Sequence, residues 1–287
     1  MSGFEFNKVY VLESLDSQKE NLTGTELYKD LLRWKEFENE LLSVELIPIH
    51  SKTELQKAFV KIKKECRTDH VIPILHFEMH GSKDRSGLVL ESKELVEWLE
   101  IHEDLMDINT IAKNNVFITL AVCYGAYLLK TSHIHNRAPF WGIIGSFDTI
   151  STSDLMIRYN KFYQSFLNDF KLDQAIKILH ESNQDIPSTY RYITSEQIFI
   201  KIYSKHFAES FTESAIKNRI NDLLKENCRK INDKNEKARI YSKHKARLFS
   251  TKEQFFEEHK KKFFMIDLYP ENEKRFKINF SDIERNS

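Results

Sequence analysis

Residues 71–81 read VIPILHFEMHG, an apolar and partly β-branched run that ends in a histidine and a glycine. The run shows no alternation between apolar and polar residues, which is typical of a strand that is buried on both faces of a parallel sheet. Four other short runs share this character, and together they predict strands over residues 8–12, 44–49, 71–77, 116–122 and 141–144.

Segments with helical spacing separate the predicted strands. Residues 25–37 and 53–64 each place several apolar side chains on one helical face. After Gly81 the polar sequence SKDRSG predicts a short hairpin or extended excursion, which is followed by a helix at about 92–101. Strands that alternate with helices indicate βαβ units, so we predict an α/β fold with a mostly parallel sheet between helices, in three layers.

The chain becomes strongly helical after residue 151. The predicted helices cover residues 152–169, 173–182, 196–208, 212–227 and 251–264, and a last strand or hairpin is predicted at 263–278. The loss of strand signal and the sequence QDIPSTY place a boundary near residues 183–195. We therefore predict an α/β domain over residues 1–183 and a mainly helical appendage over residues 184–287.

The chain has 287 residues, and its 43 basic and 43 acidic side chains cancel, so the net charge favours neither nucleic acid nor an anionic membrane as a partner. Residues 1–183 nevertheless carry a net charge of −6, and residues 184–287 one of +6. We interpret the basic stretch 225–262 as a solvated helical face. The alternatives are docking on the acidic domain, binding of an anionic ligand such as a nucleotide, and contact with nucleic acid, for which no motif is present.

The three cysteines, Cys66, Cys123 and Cys228, form neither a disulfide framework nor a CxxC metal motif, which favours a reducing compartment. The N-terminus lacks a basic segment followed by a long apolar run, and this argues against a secretory signal. No stretch reaches the roughly 18 apolar residues that indicate a transmembrane helix. We expect a cytoplasmic protein that needs no cofactor and has no membrane partner.

A histidine and a cysteine follow two of the predicted strands. In open α/β sheets ligand sites form at the carboxyl ends of the strands, so His80 and Cys123 are expected to approach each other there. A thiol is only a few per cent ionised at neutral pH, and a nearby imidazole can take its proton and later protonate a leaving amine. The backbone N–H groups of Gly81 and Cys123 are candidates for an oxyanion hole, and Gly125 allows a tight turn behind the thiol.

The sequences LHFEMHG at residues 75–81 and ITLAVCYG at residues 118–125 resemble the two catalytic motifs of the caspase-like cysteine peptidases. Within that clan they are most similar to the bacterial CHAT and separase-type branch. The sequence GIIGSFDTISTSD at residues 142–154, and the two helices after it, are similar to the segments that follow in the family. The resemblance covers about residues 5–183 and implies a caspase-like sheet flanked by helices.

The resemblance implies a role for each matching residue. His80 would be the general base and acid, Cys123 the nucleophile, and the N–H groups of Gly81 and Cys123 the oxyanion hole. The family requires no third catalytic residue, and the sequence shows none. Where the family selects a basic residue before the cleaved bond, an acidic side chain lines the pocket, and Asp154 is the best-matched candidate, with Asp148 second. Tyr124 stands where smaller or acidic residues are more usual, and its ring is expected to shape the pocket or partly occlude it.

Other interpretations of these residues stay open at the level of sequence. Cys123 can be an inert buried thiol, and Cys66 and Cys228 are interpreted as structural. His76, Glu78 and His80 share one face of a strand and could bind a metal, although no fourth ligand has a recognisable spacing. His76 is more simply a residue that packs against or positions His80. Asp148 and Asp154 are equally well interpreted as helix caps. His133 and His135 are expected to be solvated.

The expected function is that of a cysteine endopeptidase, which hydrolyses a protein or peptide substrate through a Cys-His dyad and a thioester acyl-enzyme. The resemblance implies a regulated effector of bacterial antiviral defence or cell death. Residues 184–287 would hold the catalytic domain inactive until a nucleotide-type signal, a protein partner or oligomerisation activates it. The alternative is a non-catalytic caspase-like scaffold or signal-binding module.

Overall fold

The computed structural model describes residues 3–226 and 234–285. The strands are β1 Lys8–Ser14, β2 Ser43–Pro48, β3 Pro73–Gly81, β4 Gly87–Val89, β5 Leu95–Glu97, β6 Phe117–Ala121, β7 Gly142–Ser146 and β8 Tyr190–Thr194. The helices are α1 Thr23–Leu27, α2 Arg33–Glu38, α3 Lys52–Thr68, α4 Trp98–Ile111, α5 Thr152–Asp169, α6 Leu172–Glu181, α7 Ser195–Ser210, α8 Glu213–Glu226, α9 Lys234–Ser250, α10 Lys252–Phe263 and α11 Phe280–Glu284. A π-helical turn covers Tyr28–Leu32, and 3-10 turns cover Gly125–Thr131 and Pro270–Lys274.

A central sheet has the strand order β2-β1-β3-β6-β7-β8. The first five of these strands are parallel to their neighbours, and β8 pairs antiparallel with β7. The short strands β4 and β5 form an antiparallel extension of β3, where the sequence predicts an excursion. Helices flank the sheet, with α3 packed against α4, and α5 against both α1 and α6. The predicted α/β class with a mostly parallel sheet is therefore confirmed.

The chain divides into two compact units. The first contains residues 1–132 and 138–195, and the second contains residues 133–137 and 196–287. The boundary predicted at residue 183 precedes this division, because β8 at residues 190–194 completes the sheet of the first unit through its pairing with β7. In the described part of the chain, no helix is both long enough and apolar enough to span a membrane.

Two predicted elements differ in the structure. The helix predicted at about residues 92–101 begins only at Trp98, because Glu97 and Glu100 form a capping box there and residues 95–97 extend as β5. The strand or hairpin predicted at residues 263–278 is wrong: α10 runs to Phe263, Met265 takes a left-handed conformation with φ of 60°, and a 3-10 turn follows.

The second unit is helical around an aromatic core. Phe199 is fully buried and its ring lies within 6 Å of several other aromatic rings: Tyr203, Phe256, Phe263 and Phe264. Within the basic stretch 225–262, α9 lies between the helices predicted at residues 212–227 and 251–264, where no separate helix was predicted. Cys228 lies outside the described residues.

The exposed residues His133 and His135, predicted to be solvated, also contact other histidines of this second unit. The imidazole of His135 lies beside those of His133 and His259, with ring centroids 4.9 and 5.0 Å away. Partial burial, together with these neighbouring imidazoles, lowers the pKa of His135.

Candidate active site

The strand register brings the predicted catalytic residues to the same place. β3 and β6 are parallel neighbours, and Glu78 pairs with Ala121 near their carboxyl ends. Two residues further along the two chain segments are His80 and Cys123. Both line one cavity of about 380 Å³ at this end of the sheet. The structure therefore brings together the imidazole and the thiol that the sequence places 43 residues apart.

Gly81 lies directly against the backbone of Cys123. A Cβ atom built at Gly81 would lie 1.7 Å from the carbonyl oxygen of Cys123 and 2.8 Å from its carbonyl carbon. No side chain fits at such distances, so this close approach of the two backbones requires glycine. The contact fixes the spacing between the residue that follows the histidine and the candidate nucleophile.

The thiol of Cys123 is half-buried and hydrogen-bonds to the loop before α5. The backbone N–H of Ile150 donates to Sγ over 3.3 Å, and the thiol donates to the carbonyl oxygen of Ile150 over 3.7 Å. The hydrogen bonds of the thiol thus go to Ile150 rather than to His80. Catalytic hydrogen bonds often form only when substrate is bound, so this arrangement is compatible with a Cys-His dyad.

A sharp turn follows the thiol. Tyr124 takes a left-handed conformation with φ of 61°, which costs a non-glycine residue about 1 kcal/mol. Its backbone N–H donates to the carbonyl oxygen of Asp148 over 3.0 Å. Its ring lies 5.3 Å from the guanidinium carbon of Arg85 and packs edge-on against Tyr127. The ring is not among the side chains that line the cavity, so its predicted role in shaping the pocket stays a prediction.

His80 has a carboxylate partner. Its Nε2 lies 2.7 Å from Oε1 of Glu20, in the loop between β1 and α1. Partial burial would raise the pKa of Glu20, but hydrogen bonds from the Asp16 N–H and from His80 hold it below its usual range. No third residue beside the dyad was predicted from the sequence, whereas in the structure Glu20 lies in such a position.

A second carboxylate lines the cavity, that of Glu78. The residue is 2 % exposed. Its Oε2 accepts a hydrogen bond from the Thr23 hydroxyl at 2.7 Å, and its Oε1 lies 2.9 Å from Nε2 of His76. Nδ1 of His76 in turn lies 2.7 Å from the hydroxyl of Thr119, so His76 positions Glu78 and does not contact His80. Among the described residues, no three His, Cys, Asp or Glu side chains are arranged to hold a metal ion.

Asp154 forms an ion pair inside the first unit. Its Oδ1 accepts hydrogen bonds from Nε of the fully buried Arg158 and from Nδ2 of Asn183, each at 2.7 Å. Neither Asp154 nor Asp148 is among the residues that line the cavity, and Asp148 is exposed. Both residues stay predictions as pocket acids, while the contacts of Asp154 are those of a side chain that anchors α5.

Sequence reasoning missed Glu20 and Glu78 as residues of the site. For Glu78 a signal existed, because residues 78 and 80 share one face of β3, although that pattern suggested a metal ligand instead. For Glu20 no signal existed, because it lies 60 positions from His80 in a segment without a motif.

Comparison with known proteins adds no assignment. The chain matches no protein-family model, and its sequence matches no curated protein.

Proposed function

We propose that the chain is a cysteine endopeptidase of the caspase-like clan, with Cys123 as nucleophile and His80 as general base and acid. The observation that carries this proposal is the contact of Gly81 with the Cys123 carbonyl, at the end of two neighbouring parallel strands. A glycine fitted this closely keeps the residue after the histidine at a fixed distance from the thiol. The shared cavity leaves room for a substrate beside both side chains.

The proposed reaction has two stages. His80 takes the proton of the Cys123 thiol, and Sγ attacks the carbonyl carbon of the substrate peptide bond. The N–H groups of Gly81 and Cys123 would stabilise the oxyanion of the tetrahedral intermediate, and His80 returns the proton to the leaving amine. Water then attacks the thioester with His80 as base, which releases the carboxylic acid and restores the thiol.

The charges of the cavity favour a cationic substrate side chain. Glu20 and Glu78 line it together with Lys19, so its walls carry more acidic than basic side chains. Glu78 is buried, and a buried carboxylate attracts a cation more strongly than one in water because the surroundings screen it less. We propose that Glu78, rather than Asp154 or Asp148, binds an arginine or lysine side chain next to the cleaved bond.

The cellular setting rests on the resemblance to the CHAT and separase-type branch alone. On that basis we propose a regulated effector of bacterial antiviral defence or cell death, with residues 184–287 responding to a nucleotide-type signal or a protein partner.

Replacing Glu78 by glutamine should change substrate preference. The variant keeps an oxygen for the Thr23 hydroxyl but removes the negative charge, so kcat/KM for peptides with arginine or lysine before the cleaved bond should fall about 100-fold. Peptides with a neutral residue there should lose much less. The measurement is cleavage of a peptide library by the full chain, screened with candidate activators, with Cys123→Ala as the blank.

Two outcomes of this experiment contradict parts of the proposal. If Asp148→Asn changes the preference and Glu78→Gln does not, the pocket acid is Asp148, the second of the two acidic residues that the resemblance indicates. If no condition yields cleavage that Cys123→Ala abolishes, the peptidase proposal fails and the non-catalytic signal-binding module becomes the better account.

A further inference from the structure

The carboxylate of Glu20 is held at both of its oxygens. Oε1 lies 2.7 Å from Nε2 of His80, and Oε2 accepts the backbone N–H of Asp16 at 3.1 Å. Exposed ion pairs usually contribute little because both side chains have to be ordered to form them. Here the backbone has already ordered one of the two partners.

A closed turn supplies this order. The carbonyl oxygen of Asp16 accepts the N–H groups of Lys19 and Glu20, both at 2.9 Å, and its carboxylate accepts the N–H of Gln18 at 3.0 Å. Lys19 pairs with the other carboxylate oxygen of Asp16 and not with Glu20. The carboxylate of Glu20 therefore pairs with the imidazole of His80 and does not compete for Lys19.

The segment that carries this turn is also anchored to the sheet. Thr23 donates its hydroxyl proton to Glu78, and the N–H of Thr25 donates to the buried carboxylate of Glu13 over 2.9 Å. Glu13 and Glu78 are register partners on β1 and β3. The loop that bears Glu20 is thus tied at its far end to the strand that bears His80.

We propose that Glu20 is a positioning residue that keeps the proton of neutral His80 on Nε2, so that Nδ1 is the nitrogen that accepts the Cys123 proton. This inference rests on the proposed function. A carboxylate accepts hydrogen bonds only, so it selects the imidazole tautomer that carries hydrogen on the facing nitrogen. When Nδ1 takes the thiol proton, the same carboxylate stabilises the imidazolium, and the proton on Nδ1 later passes to the leaving amine.

The kinetic test compares Glu20→Gln with a matched control. Glu91 pairs with Nδ1 of His50 in the same way and does not line the cavity, so Glu91→Gln removes a similar carboxylate without touching the site. Glu20→Gln should lower kcat about tenfold or more and change KM less than twofold, because the positioning acts on the proton transfer. Glu91→Gln should leave both constants unchanged, and an equal effect of the two variants would overturn the proposal.

A spectroscopic test separates this inference from the peptidase function. The ¹⁵N chemical shifts of a neutral imidazole differ between the protonated and the unprotonated ring nitrogen, so they report the tautomer of His80 in the full chain without any substrate. Wild type should show hydrogen on Nε2, and Glu20→Ala should show a mixture of tautomers. The same distribution in both proteins would refute the positioning role. If wild type shows no peptidase activity but its tautomer still differs from that of Glu20→Ala, the proposed function is contradicted and the positioning role of Glu20 is supported.

Discussion

Gly81→Ala should unfold the first unit at a markedly lower urea concentration than wild type and should abolish most of the proposed peptidase activity. The added Cβ would lie 1.7 Å from the carbonyl oxygen of Cys123, so β3 and the segment after β6 would have to separate. Forced shifts of this kind cost about 3 kcal/mol of unfolding free energy. A displacement near 1 Å at a catalytic group lowers the rate about 100-fold.

The unfolding is best followed by tryptophan fluorescence, because all three tryptophans belong to the first unit. Gly3→Ala is the matched control, since a Cβ at Gly3 meets no atom within 4 Å. The control should change the unfolding free energy by less than about 0.5 kcal/mol. A Gly81→Ala protein as stable and as active as Gly3→Ala would show that the close backbone approach does not exist.

Arg158→Met should destabilise the first unit by about 4 kcal/mol. The guanidinium is fully buried and donates to the Asp154 carboxylate and to the carbonyl oxygens of four residues. The four carbonyl oxygens belong to Leu179, His180, Asn183 and Ile186. Removing it leaves a buried carboxylate without its countercharge and several carbonyl groups without a donor, which is why the expected loss is large.

The measurement is again urea unfolding observed through tryptophan fluorescence. Arg33→Met is the control, since Arg33 is exposed on α2 and methionine keeps a comparable apolar stem. The control should unfold at nearly the wild-type urea concentration, whereas Arg158→Met should unfold at a clearly lower one. In a thermal scan followed by the same fluorescence, Arg158→Met should lower the melting temperature by about 10 °C, and the control should leave it nearly unchanged. Equal stability of the two variants would contradict the buried network around Asp154.

Most parallel strands were predictable because they are apolar runs buried on both faces, as residues 73–77 illustrate. The edge strand β2 is only partly buried. β8 was missed because its sequence YRYIT is short and directly follows the polar segment that was interpreted as a domain boundary. The apolar residues at 263–266 led to the opposite error, because a strand was predicted there and the structure has none. They are buried in the helical core of the second unit, and a short apolar run does not by itself distinguish a strand from a buried helix end.

The residues of the candidate site that follow strand ends could be predicted from the sequence, whereas the residue contributed by a loop could not. His80 and Cys123 follow neighbouring strands, so topology alone places them together. Glu20 reaches His80 through a turn closed by backbone hydrogen bonds, which leave no pattern in the sequence. The ion pair of Asp154 did have a signal, because Arg158 is four residues away on the same helix face.

The most direct test of the dyad is the rate at which iodoacetamide alkylates Cys123 at neutral pH. All proteins compared are the full chain with Cys228→Ser, which removes one competing thiol. Cys66 serves as an internal reference, because burial raises the pKa of its thiol to about 12 and keeps it unreactive. Alkylation is read by mass spectrometry of the peptide that contains Cys123. If His80 takes the thiol proton, His80→Gln should slow this alkylation about tenfold, with a smaller loss in Glu20→Gln. Equal alkylation rates for Cys123 in wild type and in His80→Gln would contradict the proposed catalytic pair.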